Sequence, residues 1–191
     1  AAAEHLSERR RAVGSLIEQK TETMLHELGM PNGRFEVSFS ATDDFTSRGR
    51  DKIEFLFSAN KNRSPQPVAE IASGGEISRL MLVIKSLVAA SQALPTIIFD
   101  EIDTGISGEI ARKMGEIMQT MSASMQVVAI THLPQIACMA DVHLYIAKSV
   151  VDGATVTRVE SLSEKERVRE IARMASGDDV TWAALANART M

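Results

Sequence analysis

Three short stretches of this sequence carry residues whose types and spacing suit chemistry on a phosphate. Ser73-Gly74-Gly75-Glu76 opens a run that is apolar at Ile77, Leu80, Met81, Ile84, Leu87 and Val88, the period of one helix face. Two glycines at a helix start let the backbone come close to an anion, the free N–H groups and the helix dipole favour phosphate, and Ser73 adds a hydroxyl donor. The same residues also suit a plain capping box, with Ser73 as N-cap and Glu76 three residues on. Asp100 and Glu101 end the short apolar run Ile97-Ile98-Phe99, and His132 follows the run Gln126 to Ile130. The carboxyl end of a buried strand is where open α/β sheets place ligands. Paired carboxylates there can divide labour, one holding Mg²⁺ through water while the other activates a nucleophilic water. A solvated strand end is the plainer alternative for the pair. His132 could donate to a phosphate oxygen, and a lone histidine at a strand end can equally be structural.

These groups need elements to position them, and the hydrophobic pattern supplies a set. Ala1 to Leu28 is charged, carries Leu6, Val13, Ile17, Met24, Leu25 and Leu28 at near-helical spacing, and stops at Gly29 and Pro31. That predicts a long amphipathic helix, either the stub of a coiled coil or a helix lying on the domain. Phe35, Val37 and Phe39 alternate with polar residues, as do Ile53, Phe55 and Phe57, which predicts an antiparallel pair with one buried face and Asp43, Asp44 and Gly49 in its connection. A polar loop over Lys61 to Pro67 feeds a helix over Ile77 to Ala90. Ile97 to Phe99 reads as a strand buried on both faces, Ser107 to Met121 as a helix, Gln126 to Ile130 as a second buried strand, and Leu133 to Met139 as a short helix. Strand, helix, strand implies a parallel crossover. Val142 to Val150 and Ala154 to Val159 flank Asp152-Gly153, a hairpin-turn dipeptide, and helices over Ser163 to Ala175 and Asp179 to Arg189 follow. The only boundary expected is at residue 29, dividing 1–29 from a compact 30–191.

The chain has 191 residues, 45% hydrophobic and 24% charged, which excludes a disordered or low-complexity scaffold and predicts one α/β domain. Formal net charge is −4, without the basic footprint of a dedicated nucleic-acid module. Arg9 to Arg11 and the set Arg48, Arg50, Lys52, Lys61 and Arg63 are read as solvated surface rather than a phosphate-backbone contact. Cys138 is the only cysteine, so no intramolecular disulfide and no cysteine cluster for zinc is expected, and a reducing cytoplasm fits. No apolar run reaches the roughly 18 to 20 residues of a membrane span, and the charged amino terminus is unlike a signal peptide. A start at Ala1 rather than Met hints at a fragment. Met114, Met118, Met121 and Met125 recur at helix-like spacing and read as pliable core filler.

Order and spacing join the three stretches. Ser73 precedes Asp100 by 27 positions and Asp100 precedes His132 by 32, leaving one helix between each pair. That series resembles the nucleotide-binding heads of ATP-binding-cassette (ABC) ATPases, with Ser73-Gly74-Gly75-Glu76 as signature motif, Ile97 to Glu101 as Walker B and Thr131-His132 as the switch histidine. Within that superfamily, Ile71 to Arg79, Phe99 to Gly108 and Thr131 to Gln135 resemble the RecN family, relatives of the chromosome-maintenance (SMC) proteins that act in bacterial DNA repair. Leu28-Gly29-Met30-Pro31, Phe57 to Lys61, Arg169 to Met174 and Ser176-Gly177-Asp178 are similar to the same family, so the resemblance covers nearly the whole chain.

The resemblance implies an ABC-type P-loop head, here its carboxy-terminal lobe: a parallel sheet with flanking helices plus antiparallel strands, preceded by the end of a coiled-coil helix. The glycine-rich phosphate loop G-x-x-x-x-G-K-[ST] occurs nowhere in these residues. In the family it lies in an amino-terminal half of the head, so that half is an implied partner. A second head is another, with ATP held between the two. The resemblance further implies that Ser73, Gly74, Gly75 and Glu76 bind ATP in trans, that Asp100 holds Mg²⁺ through water, that Glu101 polarises the attacking water, and that His132 contacts the γ-phosphate. Asp103, Thr104 and Ser107 would shape the loop after Walker B, with Ser107 where the wider superfamily usually has Asp. DNA is the implied partner of the full-length protein in double-strand break repair, with no membrane and a cytoplasmic, nucleoid-associated location. Two rival readings are a non-catalytic adapter that completes the head, and a metal cluster built on Glu101 and Asp103 for nucleotidyl chemistry.

Overall fold

The computed structural model describes residues 1–71, 74–89, 94–100, 102–151 and 153–191. Its chain divides into two compact units, Ala1–Gln92 and Ala93–Met191.

In the first unit, α1 (Ala2–Glu27) ends at Leu28, and Gly29 takes the left-handed φ of +76° that turns the chain into β1 (Arg34–Thr46). β1 pairs antiparallel with β2 (Gly49–Ser58), which pairs in turn with β3 (Gln66–Pro67). The register sets Phe35 against Phe57, Val37 against Phe55 and Phe39 against Ile53, as the alternation predicts. The connection is shorter than predicted: Asp43 and Asp44 lie within β1, and the turn is confined to Ser47 and Arg48. Burial fades along the pair, with Phe35, Val37 and Phe57 in the core while Phe55 and Ile53 are exposed. A single 3₁₀ turn (Val68–Glu70) precedes α2 (Gly74–Ala89), whose buried side chains include Leu80, Leu82 and Val83.

The predicted stripe of α1 holds toward its carboxyl end, where Leu25 and Leu28 are buried and Ile17 and Met24 half-buried, and fails toward its start, where Leu6 and Val13 are exposed while Gly14 is buried. What α1 turns to the β1–β2 hairpin is small and polar. Ser7 Oγ and Arg10 Nη1 donate to the two carboxylate oxygens of Asp51 at 2.6 and 2.9 Å. A Cβ on Gly14 would come within 3.0 Å of the Phe39 ring. Glu18 and Glu22 accept the backbone N–H groups of Val37 and Phe35 at 2.7 and 3.1 Å. Those two amides lie on the outer edge of β1, and the carboxylates satisfy donors that an open edge would leave for another strand.

In the second unit, β4 (Thr96–Asp100) and β5 (Gln126–Ile130) pair in parallel, with α3 (Gly108–Ser122) as the predicted crossover. β4 is not buried on both faces: Ile97 and Phe99 are in the core and Ile98 is 62% exposed, so the strand alternates. Met114, Met118, Met121 and Met125 are all buried, as core filler should be. Gly115 lets α3 come close to α4 (Pro134–Ala137), since a Cβ there would meet Met139 Sδ and the Gln135 carbonyl. β6 (Leu144–Val151) and β7 (Ala154–Ser161) form the predicted hairpin, with Gly153 at φ +78°; Asp152 lies outside the described residues. α5 (Glu164–Ser176) starts in a capping box made by Ser163 and Glu166, and with α6 (Trp182–Ala188) it encloses Ala137, Ile171, Ala172 and Ala188. No helix among the described residues is long and apolar enough to cross a membrane.

Candidate nucleotide site

The predicted site residues fall into two clusters, one in each unit. Ser73 lies outside the described residues, so its part in a capping box or a phosphate cradle is not visible. α2 begins at Gly74, where an added Cβ would meet nothing within 4 Å among the described residues. Arg79 braces the first turn of α2, its Nε donating to the Gly75 carbonyl and its Nη1 to the Leu28 carbonyl, both at 3.0 Å. The end of α1 and the start of α2 are thereby tied through one guanidinium. A cleft of about 630 Å³ lies alongside, lined by Phe57, Ser58, Asn60, Arg63, Gln66 and Glu76 among others. Sequence reasoning gave Arg79 no role; its place four residues after Gly75 was the available signal, since i and i+4 share a helix face.

The second cluster forms at the carboxyl ends of β4 and β5. Asp100 pairs in register with Ile130, so the two strands end side by side. Asp100 is exposed, and Glu101, the predicted base, lies outside the described residues. The chain then turns through 102–107, with the Ile106 N–H donating to the Asp103 carbonyl at 3.3 Å and Gly105 at φ +74°. A left-handed residue with no side chain is what so short a reversal requires. Ser107 is extended and caps α3 without a side-chain hydrogen bond, which leaves its hydroxyl unused by the helix.

Asp103 points inward from this loop and is 1% exposed. Its Oδ2 accepts from Thr131 Oγ1 and, at 3.3 Å, from the His132 backbone N–H. Thr131 Oγ1 in turn accepts the Leu133 N–H at 3.0 Å. The His132 ring is largely exposed, with Nδ1 3.5 Å from Asp103 Oδ2. Asp103 Oδ1 is buried without a hydrogen-bond partner among the described residues. Among those residues no three His, Cys, Asp or Glu side chains group as a metal cage. The sequence placed Asp103 in the loop and Thr131 beside His132; that the two meet follows only from the parallel register of β4 and β5.

No protein-family model matches the chain. Curated relatives do: the DNA repair protein RecN of Halalkalibacterium halodurans is 41% identical over 176 residues, covering 90% of this chain and 31% of that protein. RecN of Bacillus subtilis is 50% identical over 136 residues, 71% of this chain and 24% of that protein. RecN of Haemophilus influenzae is 38% identical across 100% of this chain and 34% of its own length. The chain therefore spans about a third of the length of these relatives. Among solved structures, the Smc head domain with a coiled coil and joint from Pyrococcus yayanosii superposes with a TM-score of 0.62 at 21% identity, covering 84% of this chain and 29% of that one. A chain from a study of ATP-driven dimerization and DNA-stimulated activation of SMC ATPases gives 0.55 at 19% identity, with 90% of this chain and 98% of that chain covered. At those identities the structures speak for the fold, an SMC-type head, and the sequence likeness along the whole length places this chain in the RecN family, as a segment about a third as long as its relatives.

Proposed function

We propose that this chain is the carboxy-terminal half of an ATP-binding and ATP-hydrolysing head in a RecN-type DNA double-strand break repair protein. Residues 1–29 end a coiled-coil helix in this reading, and 30–191 belong to the head. The phosphate loop comes from an amino-terminal half. ATP bound there is capped by Ser73 and Gly75 of a second head, so that nucleotide joins two heads whose engagement tethers or loads the protein on DNA.

The observation that carries the reading is that Asp100 ends β4 in register with the end of β5, immediately before Thr131-His132, whose loop is bonded to Asp103 of the segment that follows β4. An exposed carboxylate beside a loop histidine can attend the terminal phosphate and its metal together. Mg²⁺ fits this donor set: it keeps several of its waters, so one carboxylate reaching it through water suffices and no protein cage is needed. When bound it would neutralise charge on the phosphates. Asp100 orients one of the waters, Glu101 polarises the attacking one, and His132 donates to the γ-phosphate oxygen, so the residues act by positioning and charge stabilisation. Gly74 and Gly75 offer backbone N–H groups at the start of a 16-residue helix whose dipole favours an anion.

The test is ATP hydrolysis by this chain alone and by the chain joined to the phosphate-loop half, each with Glu101 intact and with Glu101→Gln. Turnover is expected only in the joined wild type, with ATP-dependent head pairing retained in Glu101→Gln because the amide keeps the shape and loses the base. Turnover by the lone chain would overturn the half-head assignment. Turnover surviving Glu101→Gln would move the base elsewhere.

A further inference from the structure

Asp103 is the most buried carboxylate among the described residues of the second unit, and its environment is unusual for a loop residue. Taking a carboxylate out of water is costly unless its lone pairs are satisfied. Here Oδ2 gathers the Thr131 hydroxyl and the His132 N–H, while Oδ1 has no partner among the described residues. A loop that needed only a turn-stabilising acceptor could use an exposed Asx or hydroxyl side chain. What this carboxylate adds is a bond across two strand ends, 28 residues apart in sequence, that terminates on the histidine loop. It also adds a charge on one side of the imidazole: Nδ1 lies 3.5 Å from Oδ2 and the ring is 69% exposed.

We infer that Asp103 is a positioning residue that holds the Thr131-His132 loop against the end of β4 and turns Nδ1 of His132 inward, leaving Nε2 to face the phosphate site. This rests on the ATPase reading for its functional consequence and on this chain's own geometry for the orientation. A carboxylate facing Nδ1 favours the tautomer protonated there, and the nitrogen left outward is thereby specified. Thr131 completes the device by accepting the Leu133 N–H with the oxygen whose proton it gives to Asp103, so the loop has one preferred direction for its hydrogen bonds. Asp103 acts through His132 and touches no nucleotide itself.

The experiment uses the joined head. In nucleotide-free protein, a ¹H–¹⁵N spectrum of the His132 ring at a pH where it is neutral should show the proton on Nδ1, and Asp103→Asn should shift the population toward Nε2–H. A wild-type ring protonated on Nε2 would overturn the inference, whatever the ATPase result. In turnover, Asp103→Asn should lower kcat by roughly tenfold and leave KM within about twofold. In a His132→Ala background the same change should cost less than about twofold, because nothing remains to be positioned. A loss of equal size in both backgrounds would mean that Asp103 only supports the fold, and would overturn the assignment. Thr131→Val removes the shared hydroxyl and serves if Asp103→Asn does not fold, with the same dependence on His132 expected. Absence of turnover in the wild-type head would defeat the ATPase reading instead, and the ring spectrum would still decide the role of Asp103.

Discussion

Two carboxylates, that of half-buried Asp51 and that of buried Asp103, show how differently one side-chain type is used. Asp103 is left with one oxygen unpartnered among the described residues, whereas Asp51 has both oxygens engaged, by the Ser7 hydroxyl and the Arg10 guanidinium, with its side chain 3% exposed. Those two donors, the Ser7 bond foremost, hold the Asp51 carboxyl below its ordinary pKa. A carboxyl whose folded value lies below its unfolded one stabilises the fold fully above the unfolded value, near about 3.9, and loses that contribution as pH falls through the folded value. Asp51→Asn should therefore unfold more readily than wild type at pH 7, and the gap between their thermal midpoints should close as the pH is taken below about 4. A gap of constant width down to pH 2 would mean that shape rather than charge fastens α1 to the hairpin. Arg10 and Asp51 are 41 residues apart, and nothing in the sequence pattern pairs them.

At the scale of elements, α1 is held along the hairpin by close approach as much as by charge. Gly14 faces Phe39, where an added Cβ would lie only 3.0 Å from the ring, and the Arg11 guanidinium lies 5.4 Å from the centre of the same ring. Helix propensity alone would reward replacing this glycine, by about 1 kcal/mol for alanine. Contact decides otherwise for a larger side chain: Gly14→Leu should destabilise the chain by about 1–3 kcal/mol in denaturant unfolding, and Phe39→Ala in the same molecule should restore part of the loss by opening space. Independent, additive losses would show that α1 does not lie on Phe39 in solution. The case also marks what the sequence made legible. Strand pairing, the parallel crossover, the methionine core and the helix that begins at Ser163 follow from periods and end signals that act within about ten residues. The seating of the first half of α1 does not, because Ser7, Arg10 and Gly14 meet the hairpin there while Leu6 and Val13 of the apolar stripe stay exposed. The alternation of β4 was misjudged for a related reason: a continuous apolar run reads as buried twice, yet Ile98 faces outward from this chain. Of the candidate site, the position of Asp100 and His132 at the ends of two neighbouring strands is legible in the apolar runs before them, while the bond between Asp103 and Thr131 needs the register of the two strands.

For the whole molecule, that outward face raises the question of what lies beyond the segment. Val142, Leu144, Ile146, Val150 and Val159 are each more than half exposed, and every residue of β7 is exposed. A two-stranded hairpin with little covering it is marginal in water, since stability at this scale needs a third strand or a packed helix. The curated relatives are about three times as long as this chain, which leaves ample sequence to supply either. If the amino-terminal half of the proposed head covers these strands, amide exchange should report it unevenly. In the chain alone, Leu144–Val151 and Ala154–Ser161 should exchange quickly while α3, built on buried methionines, stays protected. Joining the phosphate-loop half should slow the hairpin amides by about 100-fold or more, equivalent to roughly 2.7 kcal/mol of added local stability, and change α3 far less. Equal slowing everywhere would indicate global stabilisation without a defined contact. Unchanged hairpin exchange would mean that the missing half docks elsewhere and that these valines and isoleucines meet a different partner.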